Sequence, residues 1–223
     1  MKKIGALTVV LTVLVLGSPA MGLSHPPQTL TFSFDNPGSQ TLNFNQFDDN
    51  GGMYLLTKVT LDLTATQSAN VTGENDSQSP GSLTATLGGT VTATGGGLLA
   101  IASLSTSDGP YAVTASDGTP GSGPDFHDFG YMSDSDSDTD ILTHPPTNLS
   151  AFVGLGTIAI DIDGSGGFSI SGVSDSSLVV TEFDNDGCAT ITYEYSVVPE
   201  PATIGMLVTG ALGMFGVILR RRK

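Results

Sequence analysis

Residues 58–64 read KVTLDLT, a stretch in which polar and apolar side chains alternate one by one. Val59, Leu61 and Leu63 fall on one face of an extended strand, and the residues between them are polar. A period of two with β-branched enrichment is typical of an antiparallel strand that buries one face and exposes the other. This stretch therefore predicts a half-buried strand, and the same pattern identifies further strands elsewhere in the chain.

The same alternation recurs in three other places, at residues 29–34, 157–163 and 190–195. Clusters of Gly, Pro, Asn and Asp separate these stretches and favour turns. No stretch between residues 23 and 196 repeats its apolar residues with the 3.6-residue period of a helix. We predict an all-β domain over residues 23–196, an antiparallel β-sandwich with either a jelly-roll-like or an immunoglobulin-like topology.

One part of this domain differs in composition from the rest. Residues 105–147 are rich in Ser, Asp, Gly and Pro and carry only brief apolar runs. Such a composition is typical of a long loop or a partly disordered insertion. We therefore predict an acidic loop over about residues 105–147.

The charge of the domain restricts its partners. Residues 23–198 hold every acidic residue of the chain except Glu200, and Lys58 is their only Lys or Arg. Nucleic acid is excluded as a partner because its phosphates need Lys and Arg for neutralisation. A single cysteine, Cys188, also excludes an internal disulfide.

The start of the chain has the three parts of a secretory signal peptide. Lys2 and Lys3 precede an apolar run over residues 4–16, and small residues follow at Ala20 and Gly22. Positive charge, a short apolar segment and small residues, in this order, are typical of a cleaved export signal. We predict a signal peptide over residues 1–22 and entry into the secretion machinery, and an uncleaved N-terminal anchor is the alternative.

The end of the chain, residues 197–223, also has three parts. The apolar run over residues 202–219 contains no charged residue, and as a helix it would reach roughly 27 Å, enough to cross a bilayer core. The basic end would stay cytoplasmic and act as a membrane stop; it consists of Arg220, Arg221, Arg222 and Lys223. The run is preceded by an extended, proline-restricted motif made of Val198, Pro199, Glu200 and Pro201.

This tripartite tail resembles the PEP-CTERM sorting signal of bacteria that make extracellular polysaccharide. The resemblance implies recognition and cleavage near Pro199-Glu200-Pro201 by exosortase, a membrane-embedded enzyme similar to cysteine transpeptidases. An ordinary membrane anchor that is never cut is the alternative. The resemblance implies that the protein is held transiently in the inner membrane and then reaches the cell surface or the extracellular matrix of a bacterium.

A second resemblance lies inside the domain. Residues 42–64 and 187–201 are similar to the choice-of-anchor E domain, a family of extracellular bacterial domains. The matching pieces include Phe47-Asp48, Gly51-Gly52, the strand at residues 58–64, residues 152–157 and Tyr193-x-Tyr195. The resemblance implies an extracellular module and no particular activity.

Calcium is the best candidate for a bound cofactor. Hard cations are held by several oxygen ligands on a loop that bends around the ion. Four aspartates alternate in the predicted acidic loop, and shorter acidic turns are expected at residues 161–164 and 184–187. The candidate ligands are Asp134, Asp136, Asp138, Asp140, Asp161, Asp163, Asp184 and Asp186. The alternative is a solvated Ser/Asp linker without metal.

The sequence contains none of the common catalytic motifs, such as a nucleophile elbow, a zinc-binding helix or a phosphate-binding loop. We therefore expect a non-catalytic surface or matrix protein with a structural or adhesive role in exopolysaccharide or biofilm. Two alternatives stay open. One is a secreted carbohydrate-active enzyme with an acid pair hidden among the aspartates, and the other is a calcium-dependent adhesion module.

Overall fold

The structure is a computed structural model that describes residues 22–198. The predicted signal peptide at residues 1–22, apart from Gly22, lies outside the described residues, and so does the tail beyond Val198. Nine strands make up most of the described chain: β1 (Leu23–Ser24), β2 (Gln28–Asp35), β3 (Gly38–Asn45), β4 (Tyr54–Asn75), β5 (Gly81–Gly95), β6 (Leu98–Val113), β7 (Phe126–Thr143), β8 (Thr157–Ser171) and β9 (Ser176–Val197). A 3₁₀ turn, Ser150–Phe152, precedes β8.

The strands form two antiparallel sheets. In the first sheet β9 pairs with β4, β4 pairs with β7, and β1 and β2 pair one after the other with the free side of β9. In the second sheet the order is β3-β8-β5-β6. The prediction of an all-β, antiparallel sandwich is confirmed, and all four sequence stretches with period two lie in strands, namely β2, β4, β8 and β9.

The buried faces follow the alternation in the sequence. Leu61 and Leu63 of β4 are fully buried, and so are Ile160 and Ile162 of β8 in the opposite sheet. These side chains meet between the two sheets because successive residues of a strand point to opposite faces.

Between residues 22 and 198, no helix is long and apolar enough to cross a membrane.

The prediction of an acidic loop over residues 105–147 is wrong. Most of that stretch lies in β6 and β7, and between these two strands only residues 114–125 are outside a strand. Composition was misleading here because a strand normally needs apolar residues on its inner face. Over residues 134–140 of β7 the inner face is occupied by aspartates instead, and these contact the edge of β6.

The apolar core is divided into two clusters. The larger cluster surrounds Leu61, Ile162 and Tyr193, and the smaller one surrounds Val71 and Leu83. On β4, Gln67 lies between the two clusters and is fully buried. Gln67 Nε2 donates to Asn185 Oδ1 at 2.9 Å, and Asn185 Nδ2 donates to Asn36 Oδ1 at 3.0 Å. We call Gln67, Asn185 and Asn36 the polar layer.

Glycines of the second sheet make room for the polar layer. A Cβ at Gly89 of β5 would lie 2.6 Å from Gln67 Oε1, and one at Gly166 of β8 would lie 2.7 Å from Gln67 Nε2. Such distances are below van der Waals contact, so no side chain fits at either position without displacement. The large buried amide is therefore accommodated by strand positions that carry no side chain.

Replacing Gly89 with alanine should lower the free energy of unfolding by about 1–3 kcal/mol. The added Cβ would collide with the Ser165 carbonyl oxygen and with the Gln67 amide. Gly88 is the matched control, because a Cβ there would meet its nearest neighbour at 3.4 Å, an ordinary contact. Gly88→Ala should change the free energy by less than about 0.5 kcal/mol. Urea unfolding of both variants measures the difference, and equal losses would contradict this account of the polar layer.

Candidate functional site

The four alternating aspartates of β7 accept hydrogen bonds from the edge of the other sheet. Leu99 N–H donates to Asp140 Oδ2 at 2.8 Å, and Ile101 N–H donates to Asp138 Oδ2 at 2.8 Å. The next two bonds continue the series at 2.7 Å, from Ser103 N–H to Asp136 Oδ2 and from Ser105 N–H to Asp134 Oδ2. We call Asp134, Asp136, Asp138 and Asp140 the aspartate ladder.

The ladder arises from the register of β7 against β4. Asp140 pairs with Leu61 and Asp138 pairs with Leu63, both of which point into the sandwich. Paired residues of neighbouring strands share a face, so the aspartates also point inward, and the intervening Ser and Thr side chains are exposed. Because β7 is the last strand of its sheet, the inward aspartates reach the free edge of β6, whereas Phe129 and Met132 of the same strand pack into the apolar core.

The hydrogen bonds affect the titration of the ladder at Asp136. The pKa of the Asp136 carboxyl is lowered from its usual value of 3.8, first by the hydrogen bond from Ser103 N–H and second by one from Ser137 N–H, while desolvation opposes the shift. Hydrogen bonds to a carboxylate favour its charged form. At this position of the ladder, the hydrogen bonds therefore favour the ionised form of the Asp136 carboxyl.

This geometry differs from the predicted calcium loop. Alternate residues of a strand are about 6.6 Å apart, so the four ladder carboxylates cannot converge on one ion. Their Oδ2 atoms also bond to backbone N–H groups. The expected loop conformation is wrong for these residues, and within residues 22–198 no three His, Cys, Asp or Glu side chains come together as a metal site.

The other calcium candidates also lie in strands rather than in turns. Asp161 and Asp163 belong to β8, where Asp161 Oδ1 accepts a hydrogen bond from Thr41 Oγ1 at 2.6 Å. Asp184 and Asp186 belong to β9. The expectation of acidic turns at these two places is therefore wrong. The alternation of apolar and polar residues around Asp161 and Asp163 was the signal that favoured a strand, whereas the sequence around Asp184 and Asp186 shows no such alternation.

Asp184 is placed among like charges. It pairs directly with Asp35 across β2 and β9. Its pKa is raised from the usual value of 3.8, first by desolvation and then by the charges of Asp35, Asp186 and Glu182. Like charges opposite one another on a sheet are destabilising, so this pair weakens the folded state when both carboxyls are ionised.

Both ends of the described chain lie at the same end of the sandwich. Leu23, at the start of the domain, pairs with Tyr195 near the end of β9, and Val198 N–H donates to the Met53 carbonyl oxygen at 2.8 Å. We call this region the tail-bearing end. It carries exposed apolar side chains from Leu23, Met53, Leu55, Val197 and Val198. Of the predicted sorting motif, only Val198 belongs to the described residues.

An aromatic cluster and an ion pair hold the tail-bearing end together. The ring of Phe47 lies 5.2 Å from that of Tyr195, which in turn lies 5.1 Å from the ring of Tyr54. Lys58 Nζ contacts Glu194 Oε1 at 2.7 Å. Edge-to-face and tilted aromatic pairs at these distances are favourable. The last strand is thus fixed up to the residue that precedes the sorting motif.

A shallow groove of about 380 Å³ lies on the outer face of the second sheet, between the β2–β3 turn and strands β5 and β8. Its walls are small and polar, and they include Pro37, Thr90, Thr92, Asp163 and Ser165. Thr90 Oγ1 lies 3.2 Å from Ser165 Oγ. The groove therefore offers hydroxyl groups and one carboxylate to a ligand on the surface.

Comparison with known families identifies the tail. Residues 197–223 match a family model described as the PEP-CTERM protein-sorting motif. This match covers the motif, the apolar run and the basic end recognised in the sequence, and it supports an exported, exosortase-sorted surface protein that is held at the membrane before processing. The resemblance of the domain itself to choice-of-anchor E stays a prediction.

Comparisons of the whole chain with curated proteins and solved structures identify no relative. No curated protein matches the chain. Among solved structures, the VP2 subviral particle of infectious bursal disease virus is 15% identical over 89% of this chain and 50% of that chain, with a TM-score of 0.16. The Gx strain of the same virus is 14% identical over 97% of this chain and 52% of that chain, also with a TM-score of 0.16. The chain spans about half the length of these proteins, and likenesses this weak carry no argument.

Replacing Asp138 with alanine should lower the free energy of unfolding by about 1 kcal/mol, because Ile101 N–H loses its acceptor at the edge of the second sheet. Ser137→Ala is the matched control, since this neighbouring side chain is exposed on the outer face of the same strand. Chemical denaturation of the two variants makes the comparison. A destabilisation by Ser137→Ala as large as that by Asp138→Ala would refute the role of the ladder.

The raised pKa of Asp184 predicts a pH-dependent gain from its removal. A carboxyl with a raised folded-state pKa makes the folded state less stable as pH rises from the usual value of 3.8 through the folded value. Asp184→Asn should therefore raise Tm by about 1–2 °C at pH 7, and the gain should vanish near pH 3. Calorimetry across this range, with exposed Asp128→Asn as the control, tests the sign. A loss of Tm at pH 7 would show that Asp184 stabilises the fold.

Proposed function

We propose that the protein is a non-catalytic structural or adhesive component of the bacterial cell surface or extracellular matrix, and that it contacts extracellular polysaccharide. The main support for this proposal is the match to the sorting motif at residues 197–223. This segment directly follows a β-sandwich whose two sheets are joined at one edge by the aspartate ladder. Export and sorting deliver such a domain to the outside of the cell. A rigid β domain with polar outer faces suits a structural role in a hydrated matrix.

The outer faces support contact with neutral glycans. They carry pairs of hydroxyl groups from neighbouring strands, such as Thr29 with Thr190 at 2.8 Å and Thr86 with Ser107 at 2.9 Å. Hydroxyl groups both donate and accept hydrogen bonds, as sugar hydroxyls do. The strongly acidic composition disfavours anionic polymers through like-charge repulsion. A neutral polysaccharide in the groove near Thr90 is therefore the proposed ligand.

A secreted carbohydrate-active enzyme is the second candidate. It would need two carboxyl groups on either side of a bound sugar, about 5–10 Å apart. The groove near Thr90 contributes one carboxyl, that of Asp163. Release of reducing ends from the host polysaccharide, abolished by Asp163→Asn, would favour the enzyme over the structural protein.

The proposal predicts that the full chain in detergent co-sediments with the extracellular polysaccharide of its host and leaves the polymer intact. Thr90→Val removes a groove hydroxyl and should weaken retention about threefold to tenfold, as expected for one or two lost hydrogen bonds. Thr66→Val removes a comparable paired hydroxyl from the first sheet, where Thr66 Oγ1 lies 2.7 Å from Ser135 Oγ. It should leave retention unchanged.

Three results would count against this function. No retention of the native chain would contradict polysaccharide binding, and equal weakening by both Thr variants would contradict the groove. Shortening of the polymer during incubation would contradict a non-catalytic role. A parallel incubation with a chelator tests whether adhesion depends on calcium. Loss of retention in the chelator would indicate a calcium-dependent adhesion module.

A further inference from the structure

The loop of residues 114–125, which joins β6 to β7, is held by specific hydrogen bonds. Thr114 N–H donates to the Pro124 carbonyl oxygen at 3.1 Å, and Ser116 N–H donates to that of Ser77 at 2.9 Å. The buried side chain of Asn75 donates to the Thr114 carbonyl oxygen at 2.6 Å. The loop therefore has a defined conformation against the end of β4.

Two aspartates of this loop each use one carboxylate oxygen to hold the loop. Asp117 Oδ1 accepts a hydrogen bond from Thr119 N–H at 2.8 Å, and Asp125 Oδ2 accepts one from Asp117 N–H at 2.7 Å. The remaining oxygens, Asp117 Oδ2 and Asp125 Oδ1, converge on the space beside Gly123. Both lie within 2.8 Å of the position that a Cβ of this residue would occupy.

The convergent oxygen of Asp125 has no partner in the protein. The Asp125 side chain is fully buried, and its Oδ1 makes no hydrogen bond with any part of the chain that the structure describes. An unpaired buried carboxylate oxygen is costly, and a second carboxylate facing the same space adds like-charge repulsion. A cation between the two carboxyl groups would offset both of these costs.

Within residues 22–198, no Lys, Arg or His side chain forms an ion pair with Asp117 or Asp125. Lys58 is the only Lys or Arg between residues 22 and 198. Its ammonium group pairs with Glu194 at the tail-bearing end. A cation that pairs with the two loop carboxylates would therefore come from outside this part of the chain.

We propose that Asp117 Oδ2 and Asp125 Oδ1 bind a divalent cation of the calcium class. Carboxylate oxygens are the ligands that a hard cation prefers, and calcium tolerates the irregular, carbonyl- and water-completed shell of a surface loop. Asp117 is exposed, so an ion can reach the buried Asp125 from solvent. Gly123, with a φ of +109° and no side chain, leaves the space into which the oxygens point.

The ion would stabilise the connection between β6 and β7, the two strands that the aspartate ladder joins. It would cross-link the start and the end of the loop, because Asp117 and Asp125 lie near its two ends. The site is distinct from the eight aspartates that sequence alone favoured for calcium. Its affinity should be in the range of extracellular modules, about 0.1–1 mM.

Calcium titration of the full chain in detergent tests this site. By calorimetry we expect one ion per chain, and 10 mM calcium should raise Tm by about 4–7 °C over a chelated sample. Asp117→Asn and Asp125→Asn should each weaken binding at least tenfold. Asp128→Asn is the matched control, since this nearby aspartate is exposed and its Oδ1 bonds to Gly130 N–H, and it should bind calcium like the native chain.

Several outcomes would overturn the proposal. The absence of both heat and Tm shift at 10 mM calcium would do so, as would equal weakening by the Asp128 control, which would indicate diffuse binding to an acidic surface. The proposal would also be wrong if the carboxyl groups of Asp117 and Asp125 shared a proton instead of binding an ion. In that case Asp125→Asn would raise Tm at neutral pH, with no effect of calcium. Since Asp117 is exposed, its variant keeps the test valid should Asp125→Asn fail to fold.

Discussion

The fold depends on how its two sheets meet at the edge formed by β6 and β7. Every second N–H group of β6 points away from its own sheet, and four of these groups are bound by the carboxylates of the aspartate ladder. A free sheet edge is a template for pairing with another chain, and inward-pointing charges are one way to block it. Here the inward charges have a second role, because they also join the edge strand β6 of one sheet to the last strand, β7, of the other.

The opposite edge of the sandwich uses the same principle with neutral amides. Gln28 of β2 accepts a hydrogen bond from Asn45 N–H at 2.9 Å and donates to the Asn45 carbonyl oxygen at 3.0 Å. Gln40 of β3 accepts one from Ser33 N–H at 3.2 Å. Side chains thus bond backbone groups of the facing sheet at both edges. Satisfied edges of this kind reduce the risk of edge-to-edge aggregation.

The strands were largely predictable from the sequence, whereas the role of the aspartates was not. Period-two patterns at residues 58–64 and 157–163 have apolar inner faces, and a simple burial argument places them correctly. Residues 133–140 also alternate strictly, but their inner face is acidic, and burial alone argues against a strand there. The sequence does not reveal that strand β6 of the other sheet lies opposite this face. Only the three-dimensional arrangement brings the unpaired N–H groups of β6 opposite each carboxylate. The loop aspartates Asp117 and Asp125 carry no sequence spacing that separates them from other acidic residues of the chain.

Amide hydrogen exchange at the β6 edge tests the central claim most directly. If the aspartate ladder binds this edge in solution, the N–H groups of Leu99, Ile101, Ser103 and Ser105 should be protected to a degree similar to the β6 amides that bond to β5. Protection of the four amides should fall in Asp138→Ala, most strongly at Ile101. Exchange of all four at the rate of free, solvent-exposed amides in the native chain would contradict the account and leave the sandwich open at this edge.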